Sequence, residues 1–149
     1  MKINRLSKSL AVILGALALA ACSSQPALQE AGPTDELSGP IVGPRWNLLL
    51  VGTNERLSLP ESAHFVIARD GSVSGSDGCN PLRGQVRLGE QQRIEFQDFA
   101  TTRRGCAEAE GAERVKDMLE TAYRFLIDHD RLVFFGPDQR VLGGFRRAS

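Results

Sequence analysis

Histidine is scarce in this chain: only His64 and His129 occur in 149 residues. Neither has a companion in a CxxC, HxxxH or HExxH pattern, so a structural metal site is not expected. No GxSxG elbow is present, which removes the common frame of a serine hydrolase. The EF-hand spacing is missing around Asp70 and Asp77, which read instead as turn residues. There is no excess of positive charge, with 18 basic and 18 acidic side chains, and hence no call for a nucleic-acid partner. No internal repeat is visible. The longest uncharged apolar run, LAVILGALALAA at residues 10–21, is short for a membrane-spanning helix. These absences leave no constellation for catalysis, and no enzyme activity, cofactor or metal is expected.

What is present begins with an uneven distribution of charge. The first 21 residues hold Lys2, Arg5 and Lys8 and no acid, so the remainder carries 15 basic against 18 acidic groups, a net of −3. A basic start followed by an apolar run is the layout of a secretory signal. Cys22 comes next, and LAAC at residues 19–22 resembles the lipobox of bacterial lipoproteins. That resemblance implies cleavage before Cys22 and lipid attachment to it. A plain secretory signal cut after Ala18-Leu19-Ala20 is the other reading, with Cys22 left as a free thiol. Ser23 follows Cys22, and lipoproteins of this type point to the periplasmic face of the outer membrane.

Residues 23–43 contain three prolines, three glycines and no aromatic residue. They read as a flexible tether of about 25 Å typical span. The expected organisation is therefore a signal over 1–21, a lipid-anchored tether over 22–43 and one domain over 44–149.

Within the domain, RWNLLLVG reads as a buried strand led by Trp46. HFVIAR at 64–69 is another strand, closed by Asp70-Gly71 as a hairpin signal. Leu82, Val86 and Leu88 alternate with Arg83, Gln85 and Arg87, and Ile94 and Phe96 alternate with charged neighbours. The pattern predicts a half-exposed antiparallel hairpin turning at Gly89-Glu90. Val115, Met118, Leu119 and Ala122 fall at i, i+3, i+4, i+7, the spacing of one amphipathic helix. Glu110 and Arg114 are placed to pair across one turn of it. Gly111 weakens its start by about 1 kcal/mol relative to Ala. Three further β-like runs follow, broken at Asp128–Asp130 and Gly136–Asp138. The fold class is α+β and β-dominated: a curved or partly closed antiparallel sheet of seven or eight short strands, with one covering helix.

The stretch GSVSGSDGCNPLRG at 71–84 is mostly turn chemistry, yet it carries Cys79. Three cysteines is an odd count for an exported protein. If Cys22 carries lipid, Cys79 and Cys106 remain as a disulfide pair in an oxidising compartment. Such a loop closure is worth about 3.5 kcal/mol in the chain-entropy account. Glycines around Cys79 would let the backbones approach closely enough. Two separate buried thiols are the alternative.

Three stretches together, Trp46-Asn47-Leu48, VSGSDGCN at 73–80 and TTRRGC at 101–106, resemble the META domain, also called HslJ-like. The likeness spans residues 44–149. Its motif positions here are Trp46, Gly75, Gly78, Cys79, Asn80, Gly84, Thr101, Thr102, Arg103 and Cys106. Pro81-Leu82-Arg83 stands where the family often has an aromatic residue, and Arg104 where it often has Met. The resemblance implies a small envelope or secreted domain linked to stress response, heat shock included, with no established catalytic activity. With the lipobox-like LAAC, the expectation is a non-enzymatic protein held to the membrane through lipid on Cys22, which binds another envelope component or steadies the envelope under stress. A periplasmic inhibitor of a hydrolase such as lysozyme is the alternative, although VSGSDGCN offers only the Ser-Gly of such an inhibitor's recognition loop.

Two basic features complete the list. Thr101, Thr102, Arg103 and Arg104 form a polar segment that reads as a solvated loop or as a site for an anion or partner strand. Arg146 and Arg147 read as charges that blunt a sheet edge.

Overall fold

The computed structural model describes residues 37–101 and 105–149. Eight strands run in chain order, each antiparallel to the next, and β8 returns to pair with β1. They are β1 Arg45–Val51, β2 His64–Ile67, β3 Ser72–Ser76, β4 Pro81–Gly89, β5 Arg93–Thr101, β6 Arg124–Asp128, β7 Arg131–Phe135 and β8 Val141–Arg147. One helix, α1 Ala109–Thr121, lies between β5 and β6. The β-dominated fold with one covering helix is what the alternating pattern predicts. The sheet closes fully, which the pattern left between curved and closed.

Closure follows from what the strands must bury. Eight strands enclose a space that side chains can fill. Here phenylalanines fill it: Phe65, Phe96, Phe134 and Phe145 come from β2, β5, β7 and β8 and all face inward. Phe65 meets Phe145 edge-on at 5.0 Å and Phe96 edge-on at 5.8 Å, and Phe134 in a tilted arrangement at 5.9 Å between centroids. Trp46 is fully buried beside them and donates its Nε1–H to the Ile41 carbonyl at 3.1 Å. Tryptophan is accommodated in a core when its N–H finds such an acceptor.

Ile41 is itself core, only 1% exposed, and Leu37 and Val42 pack against the same cluster. The Leu37 N–H bonds to the Arg69 carbonyl, and the Gly43 N–H to that of Ile67. The folded part therefore reaches back to Leu37, ahead of the start expected at Pro44. Ile41 and Val42 form too short an apolar step to stand out among the prolines and glycines around them.

The stretch 71–84 also differs from its reading as turn. Ser72–Ser76 is β3, paired with β2 on one side and β4 on the other. Its buried members, Val73 and Ser76, belong to the wall, and neighbours on both sides supply the backbone bonds. Tertiary pairing overrides weak strand propensity here. Gly75 is required by close approach: a Cβ there would overlap the His64 carbonyl of β2.

The β4–β5 hairpin has the predicted alternation, with Leu82, Val86, Ile94 and Phe96 buried and Arg83, Gln85, Arg87 and Glu95 exposed. Its turn falls one residue later than Gly89-Glu90. Gly89 still pairs with Arg93, and Gln91 and Gln92 take left-handed φ of 55° and 56°. Further along, β5 spends one residue more than β4 between Gln97 and Ala100, a bulge at which Asp98 has φ 55°.

The barrel has one thin seam. β5 and β6 share a single register pair, Arg93 with Arg124, flanked by bonds from Ile94 N to Tyr123 O and from Phe125 N to Gln92 O, both 3.1 Å. Above that pair α1 lies against β5, burying Ala112, Val115, Met118 and Leu119. Ala122, just past its end, is also buried, so the predicted apolar face is the one that packs. The expected Glu110–Arg114 pair is replaced. Arg114 donates both terminal nitrogens to the Glu55 carboxylate at 2.6 Å each, tying the helix to the β1–β2 loop. A bidentate fork outcompetes a single contact within the helix. Gly111 has a packing role, because Leu59 from the same loop occupies the space a Cβ would need.

Arg146 and Arg147 do not blunt an edge, because β8 is paired on both sides. Arg146 reaches Asp130 at 3.3 Å, and Arg147 lies over the Trp46 ring at 5.2 Å.

Candidate functional site

The turn between β3 and β4 is built by its own polar side chains. The buried Asp77 carboxylate accepts the N–H groups of Cys79 and Asn80 at 2.9 and 2.7 Å. The Asp77 N–H bonds to the Asn80 carbonyl at 3.0 Å, and Ser76 Oγ accepts the Gly78 N–H at 3.0 Å. Gly78 turns with φ 98° under the side chain of Leu59. This is local side chain to backbone bonding, which Asp and Ser perform best.

Cys79 projects from that turn and is bonded to Cys106, with Cα atoms 6.0 Å apart. Cys106 lies just before α1. The bond therefore clamps the β3–β4 turn to the entry of the helix that covers the seam. Of the two sequence readings, the disulfide is the one present.

Beside the clamp runs a groove of about 460 Å³, lined by Asp77, Asn80, Thr101 and Cys106 on the barrel side and by Glu113, Lys116 and Asp117 on the helix. It holds both signs of charge, with Asp77, Glu113 and Asp117 against Lys116. Glu113, Lys116 and Asp117 were not singled out in the sequence, although their i, i+3, i+4 spacing marks one polar helix face.

The motif positions divide cleanly. Trp46 is core, Gly75 admits the β2 backbone, Gly78 turns the chain, and Gly84 lies under the Phe99 ring opposite the β5 bulge. Asn80, Thr101 and Cys106 line the groove, with Cys79 behind it. Thr102, Arg103 and Arg104 lie outside the described residues, as does Cys22.

The remaining candidates take structural places. Asp70 accepts the Ser72 N–H at 2.9 Å and its hydroxyl at 2.6 Å, which holds its carboxyl below the usual value; the hydroxyl contributes most. The Arg114 fork does the same to Glu55. His64 lies on β2 with Nδ1 3.0 Å from the Ser62 carbonyl oxygen. His129 turns β6 into β7, with φ 54° and Nδ1 2.6 Å from Asp128. Among the described residues, no three His, Cys, Asp or Glu side chains are grouped to hold a metal.

Solved structures share this architecture. A duf4847 family protein from Bacteroides vulgatus superposes with a TM-score of 0.54 at 12% identity, over 72% of this chain and 94% of its own. A protein from Burkholderia xenovorans does so with a TM-score of 0.57 at 18% identity, over 78% and 97%. At these identities the likeness is one of fold. No curated protein matches the chain. The model of the META domain matches residues 39–149, from just after Leu37 to the last strand and including every described motif position. The chain belongs to the META domain family.

Proposed function

We propose that this protein is exported, lipidated on Cys22 and held at the periplasmic face of the outer membrane, where its barrel is a non-catalytic binding module that serves the envelope under stress. One observation carries the reading. Cys79 and Cys106 are bonded to each other, which suits an oxidising compartment and leaves Cys22 as the odd cysteine, directly behind a signal-like run. The groove beside the disulfide is the surface offered to an envelope partner. Ser74-Gly75, the fragment expected of a lysozyme inhibitor, lies within β3 and gives no protruding finger for a hydrolase cleft. The inhibitor reading therefore has no structural observation in its favour.

The test is the intact mass of the protein taken from native membranes, after thiol alkylation with and without reductant. The expected species is residues 22–149 plus acyl chains, with two cysteines that alkylate only after reduction. An unlipidated mature chain overturns the anchor and the location together.

A further inference from the structure

The single pair that joins β5 to β6 sets two arginines directly opposite each other, Arg93 and Arg124. Directly opposed side chains have Cβ atoms about 4.5–5.5 Å apart, and like charges there are destabilising. Ile94 is buried, so Arg93 projects from the outer wall, and its guanidinium lies 3.5 Å from the centroid of the Tyr123 ring. Arg124 donates Nη2 to the neutral amide of Gln91 at 3.2 Å, while its Nε is buried without an acceptor. Among the described residues, no carboxylate pairs with either arginine. Glu95, on the same face of β5, stands across from Arg87 and accepts from Gln97, and Glu90 lies in the exposed turn.

A closing contact would gain from an acid at one of these positions and has none. The Tyr123 ring and the Gln91 amide take up part of the two charges but neutralise neither, and departures of this kind from local consistency mark functional positions. Two arginines opposed on one face of the wall carry forked N–H donors that match the oxygens of a phosphate group. The geometry points to a binding site for a phosphate-class oxyanion, bridged between Arg93 and Arg124 on the outer wall where β5 meets β6. The bound anion replaces repulsion by two charge-assisted contacts and fastens the seam. This site is separate from the groove beside the disulfide and does not depend on the anchor.

The test is thermal unfolding of the full chain in neutral detergent, with chloride exchanged for millimolar inorganic phosphate at constant ionic strength. The wild type should melt higher in phosphate, and the near-UV signal of Tyr123, the sole tyrosine, should change with the same titration. Arg124→Gln and Arg93→Gln should each weaken the phosphate response about tenfold. Arg124→Gln should melt no lower than wild type in chloride, since a like-charge contact has gone. Phosphatidylcholine vesicles with and without phosphatidylglycerol separate the sources of the anion. A response to phosphatidylglycerol alone assigns a lipid headgroup, and a response to dissolved phosphate assigns a soluble phosphate. No response to either, or an undiminished response in both variants, overturns the site. Failure of the chain to stay with neutral vesicles would count against lipidation of Cys22 and leave this site untouched.

Discussion

Gly75 shows how much one position can decide when two backbones meet. The β3 strand lies so near β2 at this point that a single methyl group would run into the His64 carbonyl, which is backbone and has no rotamer to yield. Overpacking of this kind costs about 1–3 kcal/mol. Gly144 is the matched control, because a Cβ there would have the Leu132 carbonyl at 3.5 Å as its nearest neighbour, an ordinary contact. Urea unfolding should therefore show Gly75→Ala destabilised by that amount and Gly144→Ala within about 0.5 kcal/mol of wild type. Equal effects at the two positions would mean that strand entropy, not space, sets the cost. The same comparison explains the Trp46, Gly75, Gly78 and Gly84 positions of the motif: each is fixed by packing or turn geometry, and none faces the groove.

Among the elements, α1 depends most on others. It has no side-chain cap at its start, carries a glycine in its first turn and covers the seam where the sheet is weakest. Three attachments hold it: the apolar face on the core, the Arg114–Glu55 fork and the Cys79–Cys106 bond. The disulfide joins residues 27 apart, and closing such a loop removes about 3.5 kcal/mol of unfolded-state freedom in the entropic account. The Cys79→Ser, Cys106→Ser double variant should thus lose about 3.5 kcal/mol in urea denaturation. Reductant should lower wild-type stability by a similar amount and leave the variant unchanged. A variant as stable as wild type would show that the apolar face alone seats the helix. The apolar face was legible in the sequence, because i, i+3, i+4 spacing is imposed by the helix itself. The Glu55 partner was not, because sequence spacing reveals neighbours within a helix and says nothing of a loop 59 residues away.

At the scale of the whole barrel, the wall was readable where each strand alternates and unreadable where pairing supplies what sequence lacks. β4 and β5 follow from apolar alternation, and β1, β2, β6, β7 and β8 from short apolar or β-rich runs bounded by turn residues. β3 is five residues of serine, valine and glycine, and becomes a strand only because β2 and β4 flank it. Closure likewise depends on β8 reaching β1, a long-range pairing with no local signature, and it is this pairing that removes the edge Arg146 and Arg147 would have guarded. The groove was half legible: its cysteine and threonine side lies in recognisable motifs, whereas its helix side looks like any solvated face. A barrel with one thin seam should not open uniformly. Local opening takes place where few buried contacts and few backbone bonds must break. At the β5–β6 seam the Ile94 and Phe125 amides bridge the two strands around the single Arg93–Arg124 pair, whereas Val86 lies between two well-paired strands and bonds to the Gly71 carbonyl at 2.8 Å. Native-state hydrogen exchange in chloride should show the Ile94 and Phe125 amides exchanging through local opening, insensitive to low urea. The Val86 amide should exchange only with global unfolding and follow the full urea dependence. If all three exchanged at one rate with one urea dependence, the barrel would open as a unit, and the thin seam would be as firm as the rest of the wall.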